Sequence, residues 1–205
     1  MKTTAKTIKL IIFDAYGVVL KGGFPPTCRY LSKCFHIPYQ KVFAVVYTKW
    51  FNMAAERKIT QEQAWRGAIK ELGIHITWRE LHHRHMAQMK LNLPVIRLAK
   101  KLRQDYKTLI LSKNTRMQFR DGVIKLKVPL YFDYLINTQN LGLPKASLKT
   151  MRYVMHRFNV NKEQMLYIDD QEINLTVARQ MRIRTIFYRN FNQFRREINH
   201  YLNEK

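Results

Sequence analysis

The sequence predicts an α/β fold, in which helices cover both faces of a parallel sheet and a small all-helical cap is inserted after the first strand. Two observations predict this architecture. Short apolar runs alternate with amphipathic stretches after Pro94, whereas residues 24–90 carry helical signals throughout. Residues 1–22 and 91–205 are therefore predicted to form the core, and residues 23–90 the cap.

The first strand is predicted from the apolar run that begins at Ile8 and stops at Asp14. A nearly continuous apolar run is typical of a parallel strand that is buried on both faces. Tyr16-Gly17 and Gly22-Gly23 then interrupt the pattern, as glycine does in turns. We therefore expect Asp14 to stand at the end of a buried strand, immediately before a loop.

The cap is predicted to contain about four short helices. Pro38 can occupy the first position of one of them. The residues that this helix directs inward are then Val42, Val45, Val46 and Trp50. Thr60 and Thr77 each begin a capping-box pattern, and Gly73 fits the end of the helix that Thr60 begins.

The remainder of the chain is predicted to alternate strands and helices. The strands span residues 108–111, 131–136, 165–168 and 184–188, and the helices span residues 95–102, 148–158, 175–181 and 191–202. Such alternation is typical of a parallel sheet that is covered on both faces. Arg182 occupies the position where a glycine usually ends a helix, so we expect a different turn geometry there.

Polar side chains stand at the ends of three predicted strands, at Asp14, Ser112 and the pair Asp169-Asp170. Lys145 lies in a loop before a predicted helix. In open α/β sheets, ligands bind at the carboxyl edge of the strands, near the point where the strand order reverses. Several polar strand ends together therefore predict an active site at this edge.

Taken in order, these residues resemble the four motifs of the haloacid dehalogenase-like (HAD) hydrolase superfamily, and the resemblance covers nearly the whole chain. The matching segments are Asp14-Ala15-Tyr16-Gly17-Val18, Leu109-Ile110-Leu111-Ser112, Gly142-Leu143-Pro144-Lys145 and Asp169-Asp170-Gln171-Glu172-Ile173-Asn174. The stretch from Arg57 to Trp65 resembles a cap segment of the glucose-1-phosphatase-like branch. The resemblance implies a Rossmann-like core with a small cap between the first two motifs.

The resemblance implies a Mg²⁺-dependent phosphatase that acts on a small phosphorylated metabolite. Asp14 would attack phosphorus and form an aspartyl-phosphate. Mg²⁺ would be held by Asp14, by the backbone carbonyl of Tyr16 and by Asp169 or Asp170, a set of oxygen ligands that suits this hard cation.

The resemblance also implies which residues contact the phosphate. The candidate phosphate-binding residues are Ser112, Lys113, Asn114 and Lys145. Ser112 and Lys145 would act with Asp14 in catalysis, through a hydrogen bond to the phosphate and by offsetting negative charge. Asn174 would orient the loop of the fourth motif.

Tyr16 departs from the family pattern, because phosphatases of this family usually place a second Asp there as general acid and base. General acid-base catalysis contributes about 10²–10⁴-fold to a rate. A tyrosine hydroxyl with a pKa of about 10 is a poor base at neutral pH. We therefore expect the metal site to survive and proton transfer to be weakened.

The Asp-x-Tyr-Gly form also occurs in 2-haloacid dehalogenases, in which the Asp displaces halide without a metal. A cap arginine binds the substrate carboxylate in those enzymes, and Arg29 or Arg57 is available for that role. We favour metal-assisted phosphoryl chemistry, because the adjacent carboxylates of Asp169 and Asp170 would repel each other without a cation.

A further alternative is a catalytically weakened member that binds nucleic acid or a large assembly. The chain has 37 Lys and Arg against 14 Asp and Glu, a net charge of +23, and such an excess favours polyanions. Arginines and aromatic residues alternate in residues 179–196, although we favour packing of these aromatic residues in the core. Lys113 and Ala146-Ser147 replace residues usual in the related phosphatases, which also suits this alternative.

Three minor features complete the prediction. No stretch approaches 18 apolar residues and no cleavable leader is evident, so we expect a cytoplasmic protein without a membrane span. Cys28 and Cys34 match no zinc spacing or disulfide framework. His82 and His85 share a helix face and could bind a metal, but a solvated helix face is favoured.

Overall fold

A computed structural model of the chain describes residues 8–203. The strands are, in chain order, β1 (Leu10–Phe13), β2 (Leu20–Lys21), β3 (Lys90–Leu91), β4 (Lys107–Ser112), β5 (Tyr134–Asn137), β6 (Met165–Asp169) and β7 (Arg184–Phe187). Five of them form a parallel sheet in the order β5-β4-β1-β6-β7. Strands β2 and β3 pair with each other, antiparallel, at the two ends of the cap segment.

Helices fill most of the chain between these strands. The α-helices are α1 (Phe24–Phe35), α2 (Tyr39–Phe43), α3 (Asn52–Ala55), α4 (Gln61–Leu72), α5 (Trp78–Ala87), α6 (Leu93–Leu102), α7 (Arg116–Gln118), α8 (Thr138–Leu141), α9 (Leu148–Phe158), α10 (Glu172–Gln180) and α11 (Phe191–Asn203). Two π-helices span Ala44–Phe51 and Phe119–Ile124, and two 3₁₀ turns span Val128–Leu130 and Lys162–Gln164. None of the helices within residues 8–203 has the length and apolar character needed to cross a membrane.

The side chains of β1 alternate between the two layers of the core. Ile11 and Phe13 pack in one cluster with α6 and α11, whereas Leu10 and Ile12 pack in a second cluster with α9 and α10. All four side chains are fully buried. The predicted α/β fold, with a parallel sheet between two helical layers, is therefore confirmed.

The segment between β2 and β3 contains α1 to α5 and the first π-helix. These elements share a hydrophobic cluster of their own, built around Trp65, Leu31 and Leu81. At the start of α4, the Thr60 side chain accepts a hydrogen bond from the Gln63 backbone, and the Gln63 side chain accepts one from the Thr60 backbone. This reciprocal pair is the predicted capping box.

The segment contains four continuous helical stretches, because α2, the π-helix and α3 follow one another without a break, so the predicted number of about four helices is confirmed. Val42, Val45 and Val46 are buried as predicted. Trp50 is half-buried against the same cluster, and its indole nitrogen donates to Glu71 at the surface. Two local predictions differ from the structure. Pro38 precedes the first helical residue of α2 rather than occupying that position. At Thr77 only half of the capping box forms, through its bond from the Glu80 backbone.

Two predicted boundaries in the core differ most from the structure, at the start of β5 and at the start of α10. Strand β5 begins at Tyr134 rather than at residue 131. The carboxylate of Asp133 accepts hydrogen bonds from the backbone and hydroxyl of Thr108, which hold the approach to the strand in a turn. Helix α10 begins at Glu172 rather than at residue 175.

The aromatic residues of the C-terminal arginine-rich segment pack inward. Phe194 and Tyr188 are buried, and Phe187 and Phe191 are half-buried. Their rings therefore belong to the core, as the sequence favoured, and are not displayed for stacking on bases.

Arg182 adopts the left-handed conformation that was not expected for it, with φ of 61°. Its backbone amide donates to the Arg179 carbonyl at 2.8 Å, and the Ile183 amide donates to the Ala178 carbonyl at 2.9 Å. These two bonds form a Schellman motif, which normally ends in glycine. The prediction of a different turn is wrong, since the arginine keeps the glycine geometry at a conformational cost.

We expect Arg182→Gly to raise the free energy of unfolding by roughly 1 kcal/mol, because glycine carries no penalty for positive φ. Urea denaturation measures the change. Arg152→Gly is the matched control, since Arg152 is exposed in the interior of α9, where glycine should cost about 1 kcal/mol. Destabilisation by both substitutions would contradict the account of Arg182.

Candidate active site

The register of the parallel sheet aligns the carboxyl ends of β1, β4 and β6, so the polar residues that end these strands lie side by side. Phe13 is paired with Ile110 on one side and with Ile168 on the other. Asp14 and Asp169 directly follow Phe13 and Ile168, so both reach the carboxyl edge of the sheet at neighbouring positions. The chain passes from β1 to one side and later returns beside β1 with β6, so the strand order reverses here.

The ammonium of Lys145 lies between the two aspartates. Its Nζ is 2.5 Å from Oδ1 of Asp14 and 2.7 Å from Oδ2 of Asp169, and its side chain is only 2% exposed. Burial alone would lower the pKa of Lys145, but the two carboxylates outweigh this effect and hold the pKa above its ordinary value. Lys145 is therefore a permanent positive charge in a buried site.

The carboxylate of Asp169 uses both of its oxygens in hydrogen bonds with the protein. Besides Lys145, Oδ2 accepts from the Tyr167 hydroxyl at 2.8 Å. Oδ1 accepts from the Gln171 backbone amide at 2.9 Å and from the Asn174 side chain at 3.0 Å. Asp169 is fully buried, so it fixes its neighbours from beneath the site and does not face the cavity.

Asp14 and Asp170 are the two carboxylates that face the cavity. Oδ1 of Asp14 also accepts from the Ala15 backbone at 2.7 Å, whereas Oδ1 of Asp170 is buried with no hydrogen-bond partner among the described residues. Burial, together with the charge of Asp169, raises the pKa of Asp170 to about 6 and also raises the pKa of Asp14. Ionisation of both carboxylates is therefore unfavourable unless a cation offsets their negative charge.

The three aspartates form the only group with metal-ligand spacing within residues 8–203. An oxygen atom from each of Asp14, Asp169 and Asp170 lies within 4.8 Å of the other two. Three carboxylates and one lysine give a formal charge of −2, which a divalent cation offsets. Oxygen donors of this kind suit Mg²⁺.

The predicted phosphate-binding residues lie at different depths. Lys113, Asn114 and Lys145 line the cavity, whereas Ser112 is fully buried and its hydroxyl accepts from the Asn114 side chain at 2.6 Å. The Asn137 side chain holds the backbone of Asn114 through two bonds, of 3.1 and 2.8 Å. The loop after β4 is thereby fixed with Asn114, rather than Ser112, at the surface of the cavity.

Tyr16 lines the cavity, but its hydroxyl points to the protein. The hydroxyl donates to the Gln118 carbonyl at 2.9 Å, and a Cβ on Gly122 would lie 2.0 Å from the same oxygen. Burial and the charge of Asp14 raise the pKa of Tyr16 far above that of a free tyrosine. This hydroxyl is therefore neither placed nor charged to act as a base.

The cavity has a volume of about 400 Å³ and two unlike sides. The core contributes all the charged groups of the lining. The cap contributes Phe24, Pro25, Phe43, Tyr47 and Phe51. The rings of Tyr47 and Phe51 are stacked with their centroids 5.6 Å apart, and Phe24 lies 4.4 Å from Phe51.

Polar contacts hold the cap against the core around the cavity. The Lys113 ammonium donates to the Asn52 side chain at 3.1 Å, and the Gln139 side chain donates to the Ala54 carbonyl at 2.8 Å. On the cavity wall, the Gln171 amide donates to the Tyr47 hydroxyl at 3.2 Å.

His82 and His85 of α5 lie at the same boundary between cap and core, so the prediction of a solvated helix face is wrong for them. His82 lies 3.0 Å from the Asp121 carboxylate of the core. His85 is fully buried, 2.9 Å from the Thr27 hydroxyl, and burial lowers its pKa to about 3. Neither belongs to a group with metal-ligand spacing in the part of the chain that the structure describes.

The candidate carboxylate-binding arginines lie outside the cavity. Arg29 packs over the ring of Tyr39, 6.0 Å from its centroid, and Arg57 lies beside Gly142. Among residues 8–203, no arginine lines the cavity.

The sequence did not single out several residues of the cavity wall. The missed residues are Phe24, Phe43, Tyr47, Phe51, Gln118 and Gln171. The four-residue spacing of Phe43, Tyr47 and Phe51 was a usable signal, because it places three aromatic rings along one side of a helix. Nothing in the sequence pointed to Gln118, since its role depends on Tyr16, 102 residues away.

Comparison with known proteins identifies relatives of the chain. A family model described as haloacid dehalogenase-like hydrolase matches residues 3–188. The HAD family enzyme BT-2542 from Bacteroides thetaiotaomicron superposes with a TM-score of 0.74 at 19% identity, covering 89% of this chain and 94% of that one. The same enzyme, in complex with magnesium and inorganic phosphate, superposes with a TM-score of 0.72.

Two further structures share the fold. A predicted HAD-like family hydrolase from Porphyromonas gingivalis has a TM-score of 0.75 at 16% identity, covering 97% of this chain and 100% of that one. The L-2-haloacid dehalogenase RSc1362 has a TM-score of 0.67 at 16% identity, covering 87% and 85%. At such identities the likeness concerns the fold.

We expect Gly17→Ala to weaken Mg²⁺ binding at least tenfold, a loss typical of disturbed metal sites. A Cβ at this position would lie 1.9 Å from Oδ2 of Asp170, so the carboxylate must move. Titration calorimetry with Mg²⁺ measures the effect.

Gly73→Ala is the matched control for Gly17→Ala. Gly73 also has positive φ, 64°, but a Cβ there would have no atom within 4 Å. It should cost about 1 kcal/mol of stability and leave Mg²⁺ affinity unchanged. Equal affinity in wild type and Gly17→Ala would exclude Asp170 as a ligand.

Proposed function

The chain belongs to the haloacid dehalogenase-like hydrolase family, and on this premise we propose that it is a Mg²⁺-dependent phosphatase that transfers the phosphoryl group of a small phosphorylated metabolite to Asp14. The observation that carries the proposal is the buried carboxylate cluster around Lys145, with its formal charge of −2 and the unpartnered Oδ1 of Asp170. A buried charge of this kind calls for a bound cation.

The residues present fit Mg²⁺. Asp14 and Asp170 offer carboxylate oxygens on the cavity wall, and the backbone carbonyl of Tyr16 is the third protein ligand that we assign. Such a cation, when bound, would neutralise charge on the phosphate oxygens. BT-2542, which has the same fold, forms a complex with magnesium and inorganic phosphate, and this supports the assignment.

Asp14 is the nucleophile in this proposal. The described hydrogen bonds of its carboxylate both engage Oδ1, from Lys145 and from the Ala15 backbone, which leaves Oδ2 to attack phosphorus. Burial raises the pKa of Asp14, and the charge of Lys145 opposes this rise while it also offsets the negative charge of the incoming phosphate. Lys113 and Asn114 lie on the same wall and would bind the phosphate oxygens.

The cavity supports phosphoryl chemistry over dehalogenation. A cap arginine binds the substrate carboxylate in 2-haloacid dehalogenases, and the lining formed by residues 8–203 contains no arginine. The lysines of this lining, Lys113 and Lys145, both belong to the core wall. The acidic pair Asp169-Asp170 would be costly in a site that binds no cation.

We expect Asp14→Asn to abolish the hydrolysis of p-nitrophenyl phosphate in the presence of Mg²⁺, with a loss of more than about 10³-fold in kcat. Asp170→Asn should raise the Mg²⁺ concentration needed for half-maximal activity by about 10–100-fold. Asp105→Asn alters an exposed carboxylate and should change neither quantity. Turnover that survives in Asp14→Asn would overturn the proposal.

Tyr16→Phe should leave kcat within about twofold of wild type, because the hydroxyl is bonded to the Gln118 carbonyl and takes no part in proton transfer. The substitution should lower the free energy of unfolding by about 1 kcal/mol, the usual contribution of one hydrogen bond. Steady-state kinetics and urea denaturation of the same preparation measure both effects. A tenfold loss of kcat with unchanged stability would show that the hydroxyl serves catalysis.

A further inference from the structure

We propose that the substrates are small aryl phosphate monoesters, that is, phosphate esters in which the ester oxygen is attached to an aromatic ring. This inference rests on the proposed phosphatase function and names its substrate class. Two separate observations support it: the chemistry of the cap wall, and the replacement of the family's usual proton donor by Tyr16, whose hydroxyl is bonded to the protein.

The cap wall of the cavity has no charged side chain. Among the described residues, this wall consists of Phe24, Pro25, Phe43, Tyr47 and Phe51. The single polar side-chain atom of these five residues, the Tyr47 hydroxyl, accepts a hydrogen bond from Gln171 of the core at 3.2 Å. In the proposed function the phosphate binds beside Asp14 on the core wall, so the leaving group of the ester would lie against the cap wall.

The side chains of the cap wall determine which leaving groups can bind against it. Sugars and carboxylates require hydrogen-bond donors or charges, and burying them without partners costs free energy. Aromatic rings, by contrast, gain about 0.5–1.5 kcal/mol per ring contact beyond the burial of their area. The neighbouring centroids of Phe43 and Tyr47 lie 5.0 Å apart, and those of Tyr47 and Phe51 lie 5.6 Å apart, so the rings form a continuous surface for such contacts.

The leaving oxygen receives no proton from the position where the family usually supplies one. Tyr16 stands there, with its hydroxyl committed to the Gln118 carbonyl at 2.9 Å. The Tyr47 hydroxyl of the lining is bonded to Gln171, and the Lys113 ammonium donates to the Asn52 side chain at 3.1 Å. The ammonium of Lys145 lies between Asp14 and Asp169. A leaving group that departs as an anion therefore suits this site best.

A phenol meets this requirement. Its pKa of about 10, like that of a tyrosine side chain, makes its anion far more stable than the alkoxide of a sugar or a nucleoside. Oδ2 of Asp14 forms a bond to phosphorus while the bond from phosphorus to the aryl oxygen breaks, and the electron pair stays on that oxygen. The phenolate then takes a proton from solvent.

Water completes the reaction. Its oxygen attacks phosphorus, the bond between phosphorus and Oδ2 of Asp14 breaks, and inorganic phosphate leaves. The proton of the water passes to the solvent, and Asp14 returns as a carboxylate. The cavity of about 400 Å³ accommodates a phosphate with one or two rings, which favours a small molecule.

The first test is a substrate series with the wild-type protein and Mg²⁺. We expect kcat/KM for phenyl phosphate to exceed that for ethyl phosphate, glucose 6-phosphate and a nucleoside 5′-monophosphate by about 100-fold or more, the scale of the missing acid catalysis. Among substituted phenyl phosphates, kcat/KM should rise steeply as the pKa of the phenol falls. Equal rates for aryl and alkyl esters, or no dependence on the phenol, would overturn the inference and indicate a proton donor such as Lys113.

The second test examines the wall through binding. Phenylphosphonate, which is not hydrolysed, should bind more tightly than methylphosphonate in calorimetry. Phe43→Leu should weaken phenylphosphonate roughly 3- to 10-fold and leave methylphosphonate unchanged. Phe35→Leu is the matched control, because Phe35 is a half-buried ring of the same cap cluster that does not line the cavity. Equal weakening of both ligands by Phe43→Leu would contradict a role in recognising the ring.

Failure of the proposed substrate class can be distinguished from failure of the proposed phosphatase function. No Asp14-dependent turnover of any ester would defeat the phosphatase proposal itself. Asp14-dependent turnover without preference for aryl esters would defeat only the substrate class.

Discussion

The buried ammonium of Lys145 is the interaction on which the site depends. It joins Asp14 at the end of β1 to Asp169 at the end of β6, two carboxylates that would otherwise repel each other in a dry interior. A buried ion pair of this kind adds little to stability, since desolvation offsets the attraction. The ion pair instead fixes the positions of the side chains around it. Asp169 also accepts hydrogen bonds from Tyr167, Gln171 and Asn174, and these bonds hold the loop of the fourth motif in place beside Lys145.

The charged side chains of the cavity all belong to its core wall, and the cap wall opposite is aromatic. Charged groups cannot lie on the cap wall without partners, and the core already holds the lysine and the acids. The cap therefore covers the charged groups with aromatic rings, and neutral hydrogen bonds such as Gln171 to Tyr47 and Gln139 to Ala54 close the rim. Each of these two bonds is worth about 1 kcal/mol, so the interactions that close the rim are modest. A site that must admit a substrate and then exclude water needs a cover of this modest strength.

The sequence predicted the features that depend on local pattern. The apolar run of β1, the capping box at Thr60 and the polar strand ends follow from periodicity and spacing within a few residues. The arrangement of the polar side chains at the strand ends was not predictable, because distant segments decide it. Asn137 places Asn114 above Ser112, and Tyr167 with Asn174 turns Asp169 away from the cavity. At Arg182 the tertiary structure imposes a glycine conformation on a residue whose local preference opposes it.

Tyr16 shows how a lost catalytic group and the attachment of the cap are linked. Its long side chain reaches the Gln118 carbonyl, which an aspartate at this position is too short to reach. Gln118 leads into the π-helix Phe119–Ile124, in which Gly122 leaves room for the tyrosine hydroxyl and Asp121 contacts His82 of the cap. The loop that follows Asp14 is thus connected to the segment that contacts the cap. An acid at position 16 would return a proton donor to the site and would lose the hydrogen bond to the Gln118 carbonyl. The aromatic cap wall and the absence of this acid both suit the proposed substrates, esters whose leaving groups need no proton to depart.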